Sequence, residues 1–437
     1  MTIKPGKKGG LISAVINPTD SGRLTYFDKA CLLWDEHGNI TYFSDEMPGV
    51  DRIAGHEVLV RESMIALPGL IDLHTHLPQY EFAGQGAEAL LPWLEKYTFP
   101  QEERFADDAV AELQSLNFFQ SCLSQGTTTV VAYLASQRRA AEIAFAEAER
   151  SGLRAYLGLT LMDRNVPAAL LTKHKDAEKN MLALIDRYHG KGKTQFVVTP
   201  RFAISCTSAL LSLCGEVSRA HKTLLQTHIS ENLAEIEATL KLFPQAKSYS
   251  DVYDSHGCLH DKTLLGHGIH LSEPERALIK QRDSVVVHCP VSNNFLGSGI
   301  MPYSRWQTEG LRLGLGTDVA AGYSLSMLHE AKQMTEMAKL RAHVDNTKTS
   351  VSLETALYQA TLGNAAAIGR EHDLGSFAVG KCADIAIIDD AKCDTLLDEE
   401  PNHYASLPER LARLLYRHHP EMVATTLIDG EIVFARD

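Results

Sequence analysis

Apolar runs recur through the middle of the chain, and each is followed by a stretch whose apolar residues fall three or four apart. The runs occupy residues 64–73, 127–134, 154–162, 195–202, 223–228, 263–271, 285–291 and 312–319. They are short, near-continuous and rich in Val, Ile, Leu and Thr, as strands buried on both faces are. The stretches between them carry helix punctuation. Gly126 and Gly152 stand where helical patterns stop, and Ser272-Glu273-Pro274-Glu275 is a capping box with proline in the first turn. Eight strands alternating with helices predict the α/β class and a TIM-like (β/α)8 barrel.

The two ends follow another pattern. Residues 30–34 and 40–43 read as strands around Glu36-His37-Gly38-Asn39, a hairpin with Gly and Asn where positive φ is needed. Residues 383–389 and 422–428 are strand-like as well, and Asp429-Gly430 turns the chain into residues 431–434. Two β-rich ends around a βα middle predict one small β-sandwich built from both termini. The expected division is 1–67 for its N-terminal part, 68–374 for the barrel and 375–437 for its C-terminal part.

Composition narrows the function classes. The chain has 437 residues, 44% apolar and 22% charged, with a formal net charge of −13. No basic block is longer than Lys7-Lys8 or Arg138-Arg139, so no nucleic-acid partner is expected. No run reaches the roughly 18 apolar residues of a membrane span, and the N-terminal apolar stretch is cut short by Pro18. The eight cysteines are dispersed with no C-x-x-C pair, which reads as buried thiols in a reducing compartment, so a soluble cytoplasmic protein is expected.

Polar residues stand at the ends of the predicted strands, where barrel enzymes place their chemistry. His74-Thr75-His76 closes the first run; side chains at i and i+2 share a face, so both imidazoles aim at one point. His228, His267 and Asp318 end or sit within later runs and complete a set of N and O donors that suits zinc. Four ligands drawn from His74, His76, His228 and Asp318 would hold one ion and leave room for a water, whose pKa falls from 15.7 to about 7 on zinc. Glu231, three residues past His228, is the candidate proton shuttle, provided the chain turns after the strand; otherwise it is a carboxylate at a helix N-terminus. Asp318 could serve as ligand and base together. His267 is either a fifth ligand or a donor that orients water or substrate, and His288 suits an interior role as well as a functional one. No lysine occurs at 154–163 or 195–203, so a carboxylated lysine bridging two metals is not expected.

Four segments carry a family resemblance: Pro68-Gly69-Leu70-Ile71-Asp72-Leu73-His74-Thr75-His76, His228-Ile229-Ser230-Glu231, Gly316-Thr317-Asp318, and the tail from Gly375 to Asp384. They resemble the amidohydrolase superfamily. Within it, His76-Leu77-Pro78-Gln79-Tyr80, Leu94-Glu95-Lys96-Tyr97-Thr98-Phe99-Pro100, Thr199-Pro200-Arg201-Phe202-Ala203 and Gln226 to Asn232 are similar to the guanine deaminases. The resemblance implies hydrolysis of a purine base, guanine, to xanthine and ammonia. It implies one zinc per chain on His74, His76, His228 and Asp318, with ferrous iron as the alternative ion. It further implies substrate contacts from Gln79, Arg201, Phe202, His228 and Glu231, and a homodimer.

Chemistry agrees with that implication. Phe202 offers a stacking face, Arg201 a rigid donor fork for a carbonyl edge, and Gln79 an amide that donates and accepts. Hydroxide would attack the carbon bearing the 2-amino group, with Glu231, Asp318 and His267 as the catalytic set. Residues 85–105, with Trp93, Tyr97 and Phe99, are the candidate cover. The rival readings are a hydrolase of another N-heterocycle on the same architecture, and a catalytically silent scaffold relative.

Overall fold

The eight runs form eight parallel strands in the computed structural model, which describes residues 6–20, 22–86, 89–393 and 405–436. Residues 87 and 88 of the expected cover lie outside that range. The strands are β1 (Leu70–His76), β2 (Thr127–Tyr133), β3 (Arg154–Gly158), β4 (Thr194–Pro200), β5 (Leu224–Ile229), β6 (Thr263–His267), β7 (Val285–His288) and β8 (Arg312–Leu315). Each pairs in parallel with the next in chain order. Alternation within them sorts the core into two sides. Ile71, Leu73, Val131, Val197, Leu264, Val285 and Val287 form one buried cluster, as the stacked interior of a barrel requires. Leu70, Val130, Ala155, Phe196, Leu225 and Val286, of opposite parity, belong to the cluster shared with the helices.

Between β1 and β8 the barrel is joined by polar side chains. The Asn364 amide donates to the carbonyls of Ile71 (2.7 Å) and Leu315 (2.8 Å), and its oxygen accepts from Leu315 N (2.9 Å). Higher up, Asp72 accepts from the backbone N–H (3.0 Å) and the hydroxyl (2.6 Å) of Thr317. Asp318 N then donates to His74 O (2.7 Å), and His76 N to Val319 O (2.9 Å). Gly316 lies so close to β1 that a Cβ there would meet the His74 backbone nitrogen at 2.7 Å.

The first predicted run is two strands, not one. Glu57–Pro68 belongs to the terminal sheet, and Gly69 separates it from β1. A Cβ on Gly69 would stand 2.1 Å from the Thr128 hydroxyl, so only glycine lets the chain cross from one sheet to the other there.

Both ends of the chain share one seven-stranded sheet, in the order Glu431–Ala435, Val423–Ile428, Ile385–Ile388, Glu57–Pro68, Gly9–Pro18, Leu24–Trp34, Ile40–Ser44. The antiparallel pair Ile385–Ile388 with residues 65–68 joins its two halves. The Asp429-Gly430 turn has positive φ at both residues, +50° and +72°, as a tight hairpin needs. In the other hairpin only Gly38 is left-handed (+80°); Asn39 is not, and the Asp35 carboxylate holds the turn by accepting from the N–H of His37 and Asn39. Arg154 at the foot of β3 pairs with Asp384 (2.7 Å) and with Asp429, tying this sheet beneath the barrel.

Replacing Asn364 by leucine keeps its bulk but strands a buried N–H and two carbonyls at the seam. We expect a loss of about 2–4 kcal/mol in urea unfolding. A midpoint equal to that of the parent protein would remove Asn364 from the closure.

Candidate active site

Simple alternation along β1 would carry Ile71 and Leu73 inward and then Thr75, leaving both histidines facing the helices. The structure avoids this with a register shift between Asp72 and Thr75, where β1 spends three residues against two of β2. The bulge turns His74 and His76 into the barrel mouth. His228 sits one residue from the end of β5, and Asp318 follows β8 with φ of +48°. The ligand atoms of His74, His76, His228 and Asp318 all lie within 4.8 Å of one another. Asp318 Oδ1 is 3.2 Å from His74 Nε2 and 3.0 Å from His76 Nε2, and His76 Nε2 is 3.2 Å from His228 Nε2.

This donor set suits a divalent cation. Burial drives the pKa of His76 down to about 3 and those of His74 and His228 below the usual imidazole value, so the rings are neutral and carry lone pairs. His228 Nδ1 lies 2.7 Å from the Arg201 carbonyl, which can only accept; the proton is therefore on Nδ1 and the Nε2 lone pair points at the cluster. Three neutral nitrogens and one carboxylate oxygen around a shared centre could hold a single divalent ion.

His267 stands outside this four-atom group. Its Nε2 is 3.5 Å from Glu231 Oε2 and 3.6 Å from Asp318 Oδ2, and its Nδ1 is 2.9 Å from Asn293 Oδ1. Although burial opposes it, the two carboxylates raise its pKa, so it is placed to bridge them as a proton donor. Glu231 reaches the site because Ser230 adopts φ of +47°, breaking the strand just after Ile229. Burial pushes the Glu231 carboxyl up to about 7, and Ser298 donates to its Oε1 (2.8 Å). The helix-capping work that might have explained this residue is done by Asn232 and Glu235, which form the capping box of Leu233–Leu242. Glu235 also accepts from Glu231 N (2.8 Å) and from the Tyr249 hydroxyl (2.7 Å), fixing the loop.

Above the cluster lies a small cavity. His76, His228, Glu231, His267 and Asp318 line its floor, and Gln79, Arg201 and Phe202 its walls. Arg201 is 3% exposed and forms a buried ion pair with Glu102, both carboxylate oxygens lying 2.8 Å from Nη1. Glu102 Oε1 also accepts from Gln79 Nε2 (3.0 Å). Leu90, Trp93 and Leu94 close the top, so the expected cover is a helical segment lying over the cavity. Of its aromatics, Trp93 lines the cavity and Phe99 lies under the Arg201 guanidinium, whereas Tyr97 packs against the outer core. His288 ends β7, is buried near Tyr303 and does not line the cavity, which favours the interior role.

Glu102, Glu235, Ser292, Asn293 and Ser298 were not singled out from sequence. Ser292 donates to Asp318 Oδ2 (2.6 Å) and so fixes the oxygen not aimed at His74 and His76. Glu102 lies two residues beyond the Thr98-Phe99-Pro100 stretch quoted above, and no periodicity marks it.

The sequence matches the amidohydrolase family over residues 65–433. The chain belongs to that family. Among its relatives, the guanine deaminase of Dictyostelium discoideum is 33% identical over 392 residues, covering 86% of this chain and 87% of the relative. That of Rattus norvegicus is 37% identical over 339 residues, covering 76% and 74%. A crystal structure of guanine deaminase from C. acetobutylicum with guanine in its active site superposes with a TM-score of 0.92 at 29% identity, covering 98% of this chain and all of that one.

For this amidohydrolase we expect close to one equivalent of divalent metal per purified chain. Asp318→Ala should reduce it to about a tenth or less, since a ligand is gone. His267→Ala should retain it. Elemental analysis of the three proteins checks this, and metal loss in His267→Ala would make that residue a ligand.

Proposed function

We propose that this protein hydrolyses guanine to xanthine and ammonia using one zinc ion, with ferrous iron as the alternative. The observation that carries the reading is the joining of two features in one cavity. A four-donor cluster with Glu231 forms the floor, and a stacking face, a guanidinium fork and an amide form the wall. Relatives covering three-quarters or more of the chain are guanine deaminases, which favours guanine over other N-heterocycles.

Zinc held by His74, His76, His228 and Asp318 would supply Lewis-acid chemistry, acidifying a water until it is nucleophilic at neutral pH. The chain's own groups do the rest. Phe202 stacks on the planar base while Arg201 donates to its carbonyl and Gln79 reads the adjoining edge. Asp318 accepts a proton from the attacking water through the oxygen that Ser292 already holds. Glu231, with a pKa near neutrality, delivers a proton to the ring nitrogen beside the attacked carbon as the new C–O bond forms. His267 spans the two carboxylates and keeps their charges from opposing one another. A second proton transfer to the 2-amino group lets the C–N bond break, releasing ammonia, and the two hydrogens of the water account for both transfers.

We further propose that the protein works as a homodimer in the cytoplasm. Eight free cysteines, seven of them buried, suit a reducing compartment.

Ammonia release from a panel of bases tests the substrate: guanine should be turned over at least about 100-fold faster in kcat/KM than adenine, cytosine or a chlorotriazine, the discrimination a hydrogen-bonding site can achieve. Fast turnover of another base with guanine left intact would refute the reading. Glu231→Gln should keep its metal and lose about 10²- to 10⁴-fold in kcat. Activity within threefold of the parent would take Glu231 out of the mechanism.

A further inference from the structure

Gln79 lies on the short helix Leu77–Phe82 that follows β1, and Arg201 stands just after β4. Both are anchored by Glu102, which is 2% exposed and sits on the short cover helix Phe99–Glu103. We infer that Glu102 is a positioning residue whose carboxylate sets the donor and acceptor pattern the cavity shows to the six-position of the base; this rests on the guanine reading above.

The chemistry is one of directionality. A carboxylate facing a guanidinium can only accept. Gln79 must therefore turn its NH2 toward Glu102 Oε1 (3.0 Å) and its oxygen away, where Ala320 N lies 3.4 Å from it. With Arg201 Nη1 bound to both oxygens of Glu102, the guanidinium is held at that nitrogen, and among the described residues Nε and Nη2 donate to no other group. Such a wall offers donors to a carbonyl. A base with an amino group in place of that carbonyl would set donor against donor in a buried site, and the unpaired groups would reject it.

Replacing the carboxylate by an amide removes the direction. Glu102→Gln can donate as well as accept, so Gln79 is free to flip, and Arg201 loses its countercharge. The decisive comparison is guanine against 2,6-diaminopurine, which shares the 2-amino leaving group and presents an amino group in place of the carbonyl at the six-position and an acceptor in place of the neighbouring N1–H.

The experiment measures kcat/KM for both bases in the wild type, Glu102→Gln, Gln79→Ala and the double variant, with metal content and melting temperature recorded for each. The wild type should prefer guanine by about 100-fold or more. Glu102→Gln should cut that preference by about tenfold or more at unchanged metal content, and should cut it less in the Gln79→Ala background than in the wild type, because part of the effect passes through Gln79. A purely structural role would lower the melting temperature and scale both bases alike. A preference within threefold of wild type in Glu102→Gln overturns the inference and leaves the guanine reading standing. Should Glu102→Gln fail to fold, Gln79→Ala decides alone: an undiminished preference overturns the inference. Wild-type protein that turns over neither base overturns the substrate reading, and this inference with it.

Discussion

The geometry of the site depends on how the first and last barrel strands meet. His74 and His76 belong to β1 and Asp318 follows β8, so three of the four converging donors span a seam that no strand ladder crosses among the described residues. The seam is held instead by Asn364 below and by the Asp72–Thr317 and Asp318–His74 backbone contacts above. Each of these bonds is buried, where an unmatched partner is costly, so the strands have one register available to them. Gly316 enforces the same register sterically, because any side chain there would drive β8 away from His74. A one-residue slip would carry Asp318 away from the histidines, and the donor set would not assemble.

Around this centre the protein concentrates groups that would each prefer water. His74, His76, His228, His267, Glu231 and Asp318 are all buried or nearly so. Isolated, they would be driven to their neutral forms. What keeps the arrangement useful is that they do not shift alike. Burial raises Glu231 and lowers His76, whereas Asp318 stays ionised despite burial because His267 and the metal-site imidazoles surround it. Two carboxyl groups within reach of one imidazole are thus set to opposite tasks, one holding a proton and one accepting it.

Much of this was legible in the sequence, and the boundary of legibility has a physical cause. The eight strands were readable because parallel strands buried on both faces are nearly uniform in polarity, so a polar residue at a strand end stands out. His74, His76, His228, Asp318 and Glu231 announce themselves in that way, and the spacing of His228 and Glu231 itself demands the turn that Ser230 supplies. The bulge in β1 could not, since it depends on the register with β2 and leaves no trace in composition. For the same reason Met64 to Leu73 reads as one strand although Gly69 divides it between two sheets. Glu102, Ser292 and Ser298 were invisible because each acts through a contact across the fold, 99 residues in the case of Glu102 and Arg201.

The tail from Gly375 to Asp384 shows how a family-like motif can be structural throughout. Phe377 N donates to the Asn17 amide oxygen (2.7 Å) and Asn17 Nδ2 returns a bond to Phe377 O (3.1 Å), locking the tail to the first strand of the terminal sheet. The Asp384 carboxylate receives Arg154 from the foot of β3 and the N–H of Asp429, while its carbonyl accepts from Gly69 N (2.9 Å). Gly69 is the residue from which β1 starts. Asp384 therefore fixes the end of β1 opposite to the histidines, and a charge at the stable face of the barrel helps to set where the chemistry stands at the other. The terminal sheet is best understood as the anchor of the first strand, which is why its two halves, contributed from opposite ends of the chain, meet beside Pro68.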